Sequence, residues 1–462
     1  MTHDEVARLW RLVADGTLVH PTKGLSNGHS NFADLANALS MCCGMRPERV
    51  AREPEAAAIA TELGGERKRH LVFVLCDGMG TKTLEVSLPE NSFLRTHNQP
   101  DRLVAVFPST TPAALTTLAT GAWPGQHGVP GWDLRDQAGC EFPGEAGHGP
   151  VQLRVLHARL SDMRTNEPLG ERGFSSSEVF VKAPWANPSA SSRAMLFVNA
   201  YNKTEFPVWY RNGKPPATEE ECAADIEETA AETLGQPEGS ATAVEQFAKA
   251  CAIVRDHVHA AERDGRSSYS YIYTAHPDKH MHALGAEHDE VKRVVVGLDA
   301  ELRELWENGL AQYDATLVIS ADHGHMTVRP ENMVVLQEEL LDCLEYANIG
   351  VHGKGRHALF HCRSGRGAEF QTLWQSDERL TRSFLLLTIE QAGELGLFGP
   401  DPPLPKVRPR LGDFLAVAVG ADTLVTPTEL NRHCHHCQGA HGSLARDEMR
   451  IPLVVLTSQG GA

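Results

Sequence analysis

An apolar run that ends in a carboxylate and glycines restricts the fold of this sequence more than any other feature. The run HLVFVLC covers residues 70–76 and continues into DGMG, which begins at Asp77. A strand that is apolar on both faces is typical of a parallel sheet covered by helices. Ligands of open α/β sheets bind beyond the carboxyl ends of such strands. The run therefore predicts a central parallel strand with Asp77 at the functional edge of the sheet.

Other segments of the chain continue this alternation of strands and helices. Amphipathic helices are predicted near residues 241–262 and 287–309. Strands that alternate with helices indicate a mostly parallel sheet with helices on both faces. We therefore expect an α/β fold in which a mostly parallel sheet is sandwiched by helices. The further strands are predicted at 177–183, 195–200, 268–274 and 315–320.

The length of the chain, 462 residues, exceeds that of one ordinary domain. Helices are predicted within residues 1–65, and we expect these residues to form an N-terminal helical extension. Residues 66–462 would then form the main domain. Segments rich in glycine, proline or charge indicate insertions near 136–175 and 205–240. Residues 330–430 mix helix and strand around a proline-rich turn, and we expect them to form a cap.

The charge and hydropathy of the chain restrict its partners and its location. A formal net charge of −17 argues against nucleic acid polymers and anionic membranes, although metal ions can reverse the local charge for a small anionic substrate. No apolar run has the length of a membrane span, and the N-terminus resembles a charged amphipathic helix more than a signal peptide. We therefore expect a cytoplasmic protein without membrane contact. The sequence does not predict its oligomeric state.

A stretch over residues 107–128, FPSTTPAALTTLATGAWPGQHG, places hydroxyl groups at the start of a predicted helix. Thr111 has the chemistry of a helix N-cap, Pro112 suits the first helical position, and Gly121 suits the C-terminal stop. The free N–H groups and the dipole at a helix N-terminus favour negative charge and bind phosphate. Thr111 is therefore either a helix cap alone or a hydroxyl at an anion-binding site.

Three more sites place carboxylates or histidines beside an apolar strand. Asp278 and His282 follow the strand predicted at 268–274, Asp322 and His323 follow the next, and His441 precedes a final apolar run. Taken singly, such residues are more often hydrogen-bond partners within loops. Their repeated position at strand ends, together with Asp77 and a helix-capping threonine, favours one shared site.

The candidate ligands divide into two sets with mixed oxygen and nitrogen donors. Such sets suit Zn²⁺, with Mn²⁺ as the alternative. Two divalent ions bring more positive charge than the three carboxylates neutralise, which leaves a surplus for a phosphate group. Two metal ions about 4 Å apart can stabilise both the attacking and the leaving oxygen of an in-line displacement. One set is Asp77, Asp322 and His323, and the other is Asp278, His282 and His441.

The order of these motifs resembles the alkaline phosphatase superfamily, and most closely its type I phosphodiesterase/nucleotide pyrophosphatase branch. The motifs read D-G-M-G, P-S-T-T-P…T-G…H-G, P-D-x-x-x-H-x-x-G, D-H-G-H and A-H-G. The resemblance implies an alkaline-phosphatase-like catalytic domain, two metal ions held by the two sets, and Thr111 as the nucleophile. The register counted back from Thr120-Gly121 favours Thr111, and Thr110 is the alternative.

The activity that the resemblance implies is metal-dependent hydrolysis of phosphate esters through a phosphothreonine intermediate. Both a phosphodiesterase and a phosphatase fit this description, and the substrate would be a small anionic phosphate ester. A phosphomutase or phosphonate hydrolase of the same superfamily is an alternative, as is a non-catalytic metal-binding protein. Sulfatases use a modified Cys or Ser in a C/S-x-P-x-R context, which the nucleophile block here lacks.

Two departures from the family pattern concern the nucleophile block and the substrate. Pro112 follows Thr111 at once, whereas the family usually has a proline two residues after its nucleophile. Residues 129–132 read VPGW where nucleotide-cleaving members carry asparagines. Trp132 either packs beneath its loop or stacks on an aromatic leaving group. The second interpretation predicts that aryl phosphodiesters turn over better than ATP-like nucleotides.

Histidines and cysteines outside the two sets have two interpretations each. His276, His280 and His325 either orient metal ligands through hydrogen bonds or are loop and surface residues. The HCHHC cluster that begins at His433 and ends at Cys437 is either a structural zinc site or an exposed loop. A second C-x-x-C pair, which would favour structural zinc, does not occur in the sequence.

Overall fold

The computed structural model of the chain describes residues 4–23, 29–43, 52–65, 68–131, 133–135, 152–156, 159–162, 239–345, 351–352, 355–427 and 438–459. Several predictions lie outside these residues. They concern Trp132, the strands at 177–183 and 195–200, the cluster at 433–437, and most of the two insertions.

Helices and strands alternate along the described residues, and they are numbered here in chain order. The helices are α1 (Glu5–Ala14), α2 (Phe32–Cys42), α3 (Glu53–Glu62), α4 (Thr81–Ser87), α5 (Phe93–His97), α6 (Thr111–Thr120), α7 (Pro124–His127), α8 (Ser240–Arg263), α9 (Asp278–Leu284), α10 (Asp289–Glu304), α11 (Glu338–Asp342), α12 (Gly367–Ser376), α13 (Glu378–Ser383), α14 (Ile389–Glu394), α15 (Arg408–Leu411) and α16 (Arg446–Met449). The strands are β1 (Ser30–Asn31), β2 (His70–Cys76), β3 (Leu103–Val104), β4 (Asp133–Arg135), β5 (Gln152–Leu156), β6 (Arg159–Asp162), β7 (Ser268–Thr274), β8 (Ala315–Ser320), β9 (Met326–Thr327), β10 (Met333–Val335), β11 (Val351–His352), β12 (His357–Phe360), β13 (Phe384–Thr388), β14 (Phe414–Ala418), β15 (Thr423–Val425), β16 (Gly439–Ala440), β17 (Arg450–Ile451) and β18 (Val454–Thr457).

The central sheet of the described residues has the strand order β18-β8-β2-β7. Strands β7, β2 and β8 run parallel to one another. Every residue of β2 is buried, which explains why its sequence is apolar without alternation. The α/β class is as predicted, but the sheet is mixed because β18 pairs antiparallel with β8.

Amphipathic helices pack beside this sheet. Helix α10 buries Val291, Val294, Val295 and Leu298, whose spacing matches one face of a helix. Helix α8 packs against both α10 and β7. These contacts explain why the helices predicted near 241–262 and 287–309 form where they do. Among the helices of the described residues, none is long and apolar enough to cross a membrane.

The N-terminal helices make direct contacts with the rest of the chain. The Arg8 guanidinium donates hydrogen bonds to the carbonyl oxygens of Thr381 at 2.6 Å and Phe384 at 3.0 Å. Helix α2 packs against α6, and β1 pairs in parallel with β3. The helices expected in residues 1–65 are therefore joined to the main domain, and the domain boundary itself stays a prediction.

A second sheet, with the order β11-β12-β14-β13, lies within the segment expected to form a cap. Its strands are antiparallel. It has its own apolar cluster, which includes Phe360, Phe370, Trp374 and Phe414. Strand β12 also carries His357, whose ring lies against the backbone of Gly442 near the strand ends of the central sheet.

Candidate active site

The carboxyl ends of the three parallel strands bring the predicted carboxylates together. Asp77 follows β2, Asp278 begins α9 beyond β7, and Asp322 follows β8. The Asp278 amide donates to the carbonyl oxygen of Asp77 at 3.0 Å. The Gly78 amide donates to Asp322 Oδ1, also at 3.0 Å. Hydrogen bonds among the candidate ligands and their neighbours therefore hold this edge of the sheet together.

Gly78 permits this close approach. Its φ of +71° lies in the left-handed region that favours glycine. A Cβ atom at this position would lie 2.7 Å from the Cβ atom of Asp278. Any larger residue would therefore push the ends of β2 and β7 apart.

The first ligand set is compact and fully enclosed. One ligand atom each from Asp77, Asp322 and His323 lies within 4.8 Å of the others, and all three residues are buried. His323 Nε2 lies 3.4 Å from Asp322 Oδ2 and 3.5 Å from Asp77 Oδ1. The Tyr273 hydroxyl donates to Asp77 Oδ2. Sequence reasoning missed Tyr273, although its position near the end of β7 follows the strand-end rule that selected the others.

Two carboxyl groups that are buried side by side resist the loss of their protons unless a cation is present. Burial, with the neighbouring Asp322 charge, raises the pKa of Asp77 well above its usual value. Burial likewise raises the pKa of Asp322 to about 7. Asp322 Oδ2 is buried without a hydrogen-bond partner. A divalent cation would satisfy this oxygen and neutralise both carboxylates.

The second ligand set is richer in nitrogen. Asp278, His282 and His441 also offer ligand atoms within 4.8 Å of one another. His282 Nε2 lies 3.3 Å from Asp278 Oδ2 and 3.2 Å from His441 Nε2. Burial alone would raise the pKa of Asp278, but the neighbouring imidazoles, chiefly His282, lower it well below its usual value. The set thus holds an ionised carboxylate among imidazole nitrogens.

The three histidines of the two sets share one orientation, in which Nδ1 contacts a backbone carbonyl. An Nδ1–H donor leaves a lone pair on Nε2, and each Nε2 faces its ligand set. This arrangement and the unpartnered Asp322 Oδ2 fit two divalent cations. The Nδ1 contacts are His282 to Gly439 at 2.8 Å, His323 to Gly324 at 2.9 Å and His441 to Ser109 at 2.8 Å.

Thr111 occupies the first position of α6 and is not its N-cap, which corrects the prediction from sequence. The N-cap is Thr110, whose carbonyl accepts the Ala114 amide at 3.0 Å, and its side chain makes no cap hydrogen bond. Thr111 is thereby free to turn its hydroxyl toward the first ligand set. Its Oγ1 lies 3.2 Å from His323 Nε2 and 3.5 Å from Asp77 Oδ1.

The two ligand sets adjoin each other. The rings of His323, from the first set, and His441, from the second, stack with centroids 3.6 Å apart and an angle of 11°. Thr111 borders the first set. The six candidate ligands and the hydroxyl are therefore parts of one continuous centre.

The additional histidines are buried, so their interpretation as surface residues is wrong. His276 and His280 contact each other through their Nδ1 atoms at 3.0 Å. His325 Nε2 lies 3.3 Å from Asp278 Oδ1. Sequence reasoning also missed His357, which the second sheet inserts between Gly131 and Gly442. No local pattern marks His357, because its neighbours at the site are distant in sequence.

Burial of His357 predicts that the chelated protein loses stability in acid. Burial lowers the pKa of His357 to about 4 from 6.5. Between these values the unfolded chain binds more protons than the native one, so stability falls as the pH falls from 6.5 to 4. A shift of this size corresponds to about 3 kcal/mol.

Chemical denaturation of the metal-free protein over this pH range would measure the effect. The His357→Leu variant is expected to show a flatter profile than the wild type. Other buried histidines, such as His127 with a pKa lowered to about 3, keep part of the slope in both proteins. Identical slopes for the two proteins would show that His357 does not contribute to the loss of stability in acid.

Comparison with known proteins places this site in a family. The sequence model of the type I phosphodiesterase/nucleotide pyrophosphatase family matches residues 71–444. No curated protein gave a significant match. Among solved structures, murine ectonucleotide pyrophosphatase/phosphodiesterase 5 superposes with a TM-score of 0.52 at 15% identity, over 86% of this chain and 89% of that one.

Two further solved structures are similar to the chain. An inactive variant of the same murine protein, in complex with AMP, gives a TM-score of 0.51 at 15% identity and covers 84% of this chain and 88% of its own. Phosphonoacetate hydrolase from Sinorhizobium meliloti 1021, in complex with phosphonoformate, gives 0.49 at 17% identity, over 84% and 90%.

The family match and the fold agree. At 15% identity the murine structures show a shared fold. The matched residues, 71–444, include Thr111 and every candidate ligand. The chain therefore belongs to the type I phosphodiesterase/nucleotide pyrophosphatase family and is a hydrolase of that class.

Proposed function

We propose that this protein hydrolyses phosphate esters through a phosphothreonine formed on Thr111, with two divalent metal ions. The observation that carries the proposal is the position of the Thr111 hydroxyl, 3.2 Å from His323 Nε2 and 3.5 Å from Asp77 Oδ1. A threonine that served only as a helix cap would direct its hydroxyl to the backbone of its own helix.

The two ligand sets would hold the metal ions. Asp77, Asp322 and His323 would bind the ion nearer to Thr111, and the second set would bind the other. Divalent ions there would stabilise the negative charge of the phosphoryl group and lower the pKa of the hydroxyl. Zinc suits the mixed carboxylate and imidazole donors, and manganese is the alternative.

The residues of the chain supply the nucleophile and its orientation. Thr111 Oγ1 attacks phosphorus in line, its proton is lost to solvent, and the bond from phosphorus to the leaving oxygen breaks. Water then hydrolyses the phosphothreonine, which restores the hydroxyl and releases the phosphoryl product. The N-terminus of α6 adds favourable partial charge beside the phosphoryl oxygens.

The substrate is proposed to be a small anionic phosphate ester. The family's phosphodiesterases act on diesters, and the absence of asparagines over residues 129–132 argues for aryl phosphodiesters above nucleotides. Trp132 would then stack on the aryl leaving group, which is one of the two interpretations that the sequence leaves open. The cytoplasmic location likewise stays a prediction.

A substrate panel tests the proposed reaction. Phosphomonoesters, aryl phosphodiesters, ATP and phosphonates would be incubated with protein loaded with zinc or manganese. Turnover of an aryl diester above ATP is the expected result, and Trp132→Ala should raise KM with little effect on kcat. Efficient conversion of ATP to a nucleoside monophosphate would instead identify the protein as a nucleotide pyrophosphatase. Isomerised sugar phosphate would indicate a phosphomutase, and inertness toward every compound would contradict hydrolysis.

Removal of metal ions is expected to abolish turnover, and their return to restore it. Metal analysis should find two transition-metal ions per chain, as the two ligand sets predict. Added metal should also stabilise the fold, by about 4 kcal/mol at roughly 1,000 times the dissociation constant. Undiminished turnover after exhaustive chelation would contradict the proposal. His441→Ala should weaken one site while the other keeps its affinity.

A further inference from the structure

His325, the second histidine of the D-H-G-H motif, lies beside the second ligand set. It directly precedes β9, which pairs antiparallel with β16 so that Met326 faces Ala440. This pairing brings its ring to 4.7 Å from that of His282 and 5.5 Å from that of His441. The His325 side chain is completely buried.

The absence of a side chain at Gly439 makes room for this ring. A Cβ atom there would lie 2.8 Å from His325 Nδ1. The Gly439 carbonyl meanwhile accepts the Nδ1–H of His282 at 2.8 Å. One residue of β16 therefore accommodates His325 and orients a candidate metal ligand. Neither ring nitrogen of His325 has a hydrogen-bond partner among the described residues.

The other ring nitrogen faces Asp278. His325 Nε2 lies 3.3 Å from Asp278 Oδ1, while Asp278 Oδ2 lies 3.3 Å from His282 Nε2. Asp278 Oδ1 also lies 3.8 Å from His441 Nε2, but His325 Nε2 is its nearer neighbour at 3.3 Å. Neither Asp278 Oδ1 nor His325 Nε2 has a hydrogen-bond partner, so each is available to the other. Among the described residues, the compact set of mutually close ligand atoms comprises Asp278, His282 and His441, without His325.

We propose that His325 is a positioning residue, and that in the metal-bound protein its Nε2–H donates to Asp278 Oδ1 so that Asp278 presents its other oxygen to the metal ion. The inference rests on the proposed function, because it assumes that the second ligand set binds a metal. A donor on one oxygen restricts rotation of the carboxylate and favours coordination through the other oxygen alone. Three protein ligands then leave a coordination position open, as catalytic metal sites require.

Metal affinities of the full-length protein test this role without relying on activity. The zinc dissociation constants of both sites would be measured by competition with a chromophoric chelator. In His325→Leu, the affinity of one site should fall by about 10–100-fold while the other is unchanged. His325→Gln, which retains an N–H donor, should recover much of the loss.

A matched control separates positioning from a general loss of stability. His20 is also a buried histidine, but it stacks on Trp10 in the N-terminal region, with ring centroids 5.1 Å apart. His20→Leu should therefore lower thermal stability and leave both zinc affinities as in the wild type. Equal weakening of both sites in His325→Leu would instead indicate structural damage and overturn the inference.

The remaining outcomes also decide the question. If the wild type binds two ions and His325→Leu binds them equally well, His325 does not position Asp278, and the proposed function stands. If the wild type binds no ions, both the inference and the proposed function are wrong. The visible spectra of the Co²⁺-loaded wild type and His325→Leu would be compared. A different coordination number in His325→Leu would show that His325 is itself a ligand and would overturn its positioning role.

Discussion

Replacing Thr111 with alanine is expected to reduce turnover by roughly four orders of magnitude or more, as loss of a nucleophile does in other hydrolases. The fold should tolerate the change, because Thr111 is not the N-cap of α6 and its hydroxyl faces Asp77 and His323. Both zinc affinities should stay close to those of the wild type. Steady-state kinetics and chelator competition would measure the two effects.

The matched control for this substitution is Thr110→Ala. The Thr110 hydroxyl is buried without a hydrogen-bond partner, and its side chain makes no cap bond. Its removal should therefore cost far less activity than Thr111→Ala. Mass spectrometry of acid-quenched wild type should locate the phosphoryl group on Thr111. A more severe loss in Thr110→Ala would show that the register is wrong by one residue.

Breaking the ion pair between Arg356 and Glu448 is expected to destabilise the protein by about 3–5 kcal/mol, since it leaves one charge buried and unpaired. Both side chains are completely buried. Arg356 Nε donates to Glu448 Oε1 at 2.9 Å, and Glu448 Oε2 accepts the Ser443 amide at 2.7 Å. Chemical denaturation of Glu448→Leu in the presence of a chelator would measure the loss.

The same pair should also influence the candidate metal site. The Glu448 carbonyl accepts the Gly324 amide at 2.7 Å, and Ser443 lies in the loop that carries His441. Loss of Glu448 should therefore weaken metal binding as well as stability. The double variant Arg356→Met with Glu448→Leu should recover much of the stability, because it removes both buried charges. A double variant no more stable than Glu448→Leu would contradict coupling between the two residues.

The sequence by itself determined the α/β class and the candidate residues of the site. Strand β2 could be predicted from its composition alone, because a strand buried on both faces must be apolar throughout. Asp77, Asp278 and Asp322 could be selected because parallel strands end at the same edge of a sheet. The strand and the meeting of the three carboxylates could be predicted because local patterns carry the information that such predictions need.

Details at helix and strand ends were less predictable. The pattern of Thr111 and Pro112 suggested a cap at Thr111, but the helix begins one residue earlier. Proline is tolerated at either of the first two helical positions because its nitrogen needs no hydrogen-bond acceptor there. Local patterns also could not predict that β18 runs antiparallel to its neighbour, because pairing direction depends on the path of the whole chain.

Only the tertiary structure decided which residues meet at the site. Glu448 and Arg356 are separated by 92 positions in the chain, and nothing near either residue indicates the other. The buried location of His325 likewise depends on the pairing of β9 with β16 and on the space left by Gly439. A buried polar group is stable only where distant partners satisfy it, and those partners are brought close only by folding. Local sequence therefore determined the chemistry available to this protein, and long-range packing decided how that chemistry is arranged.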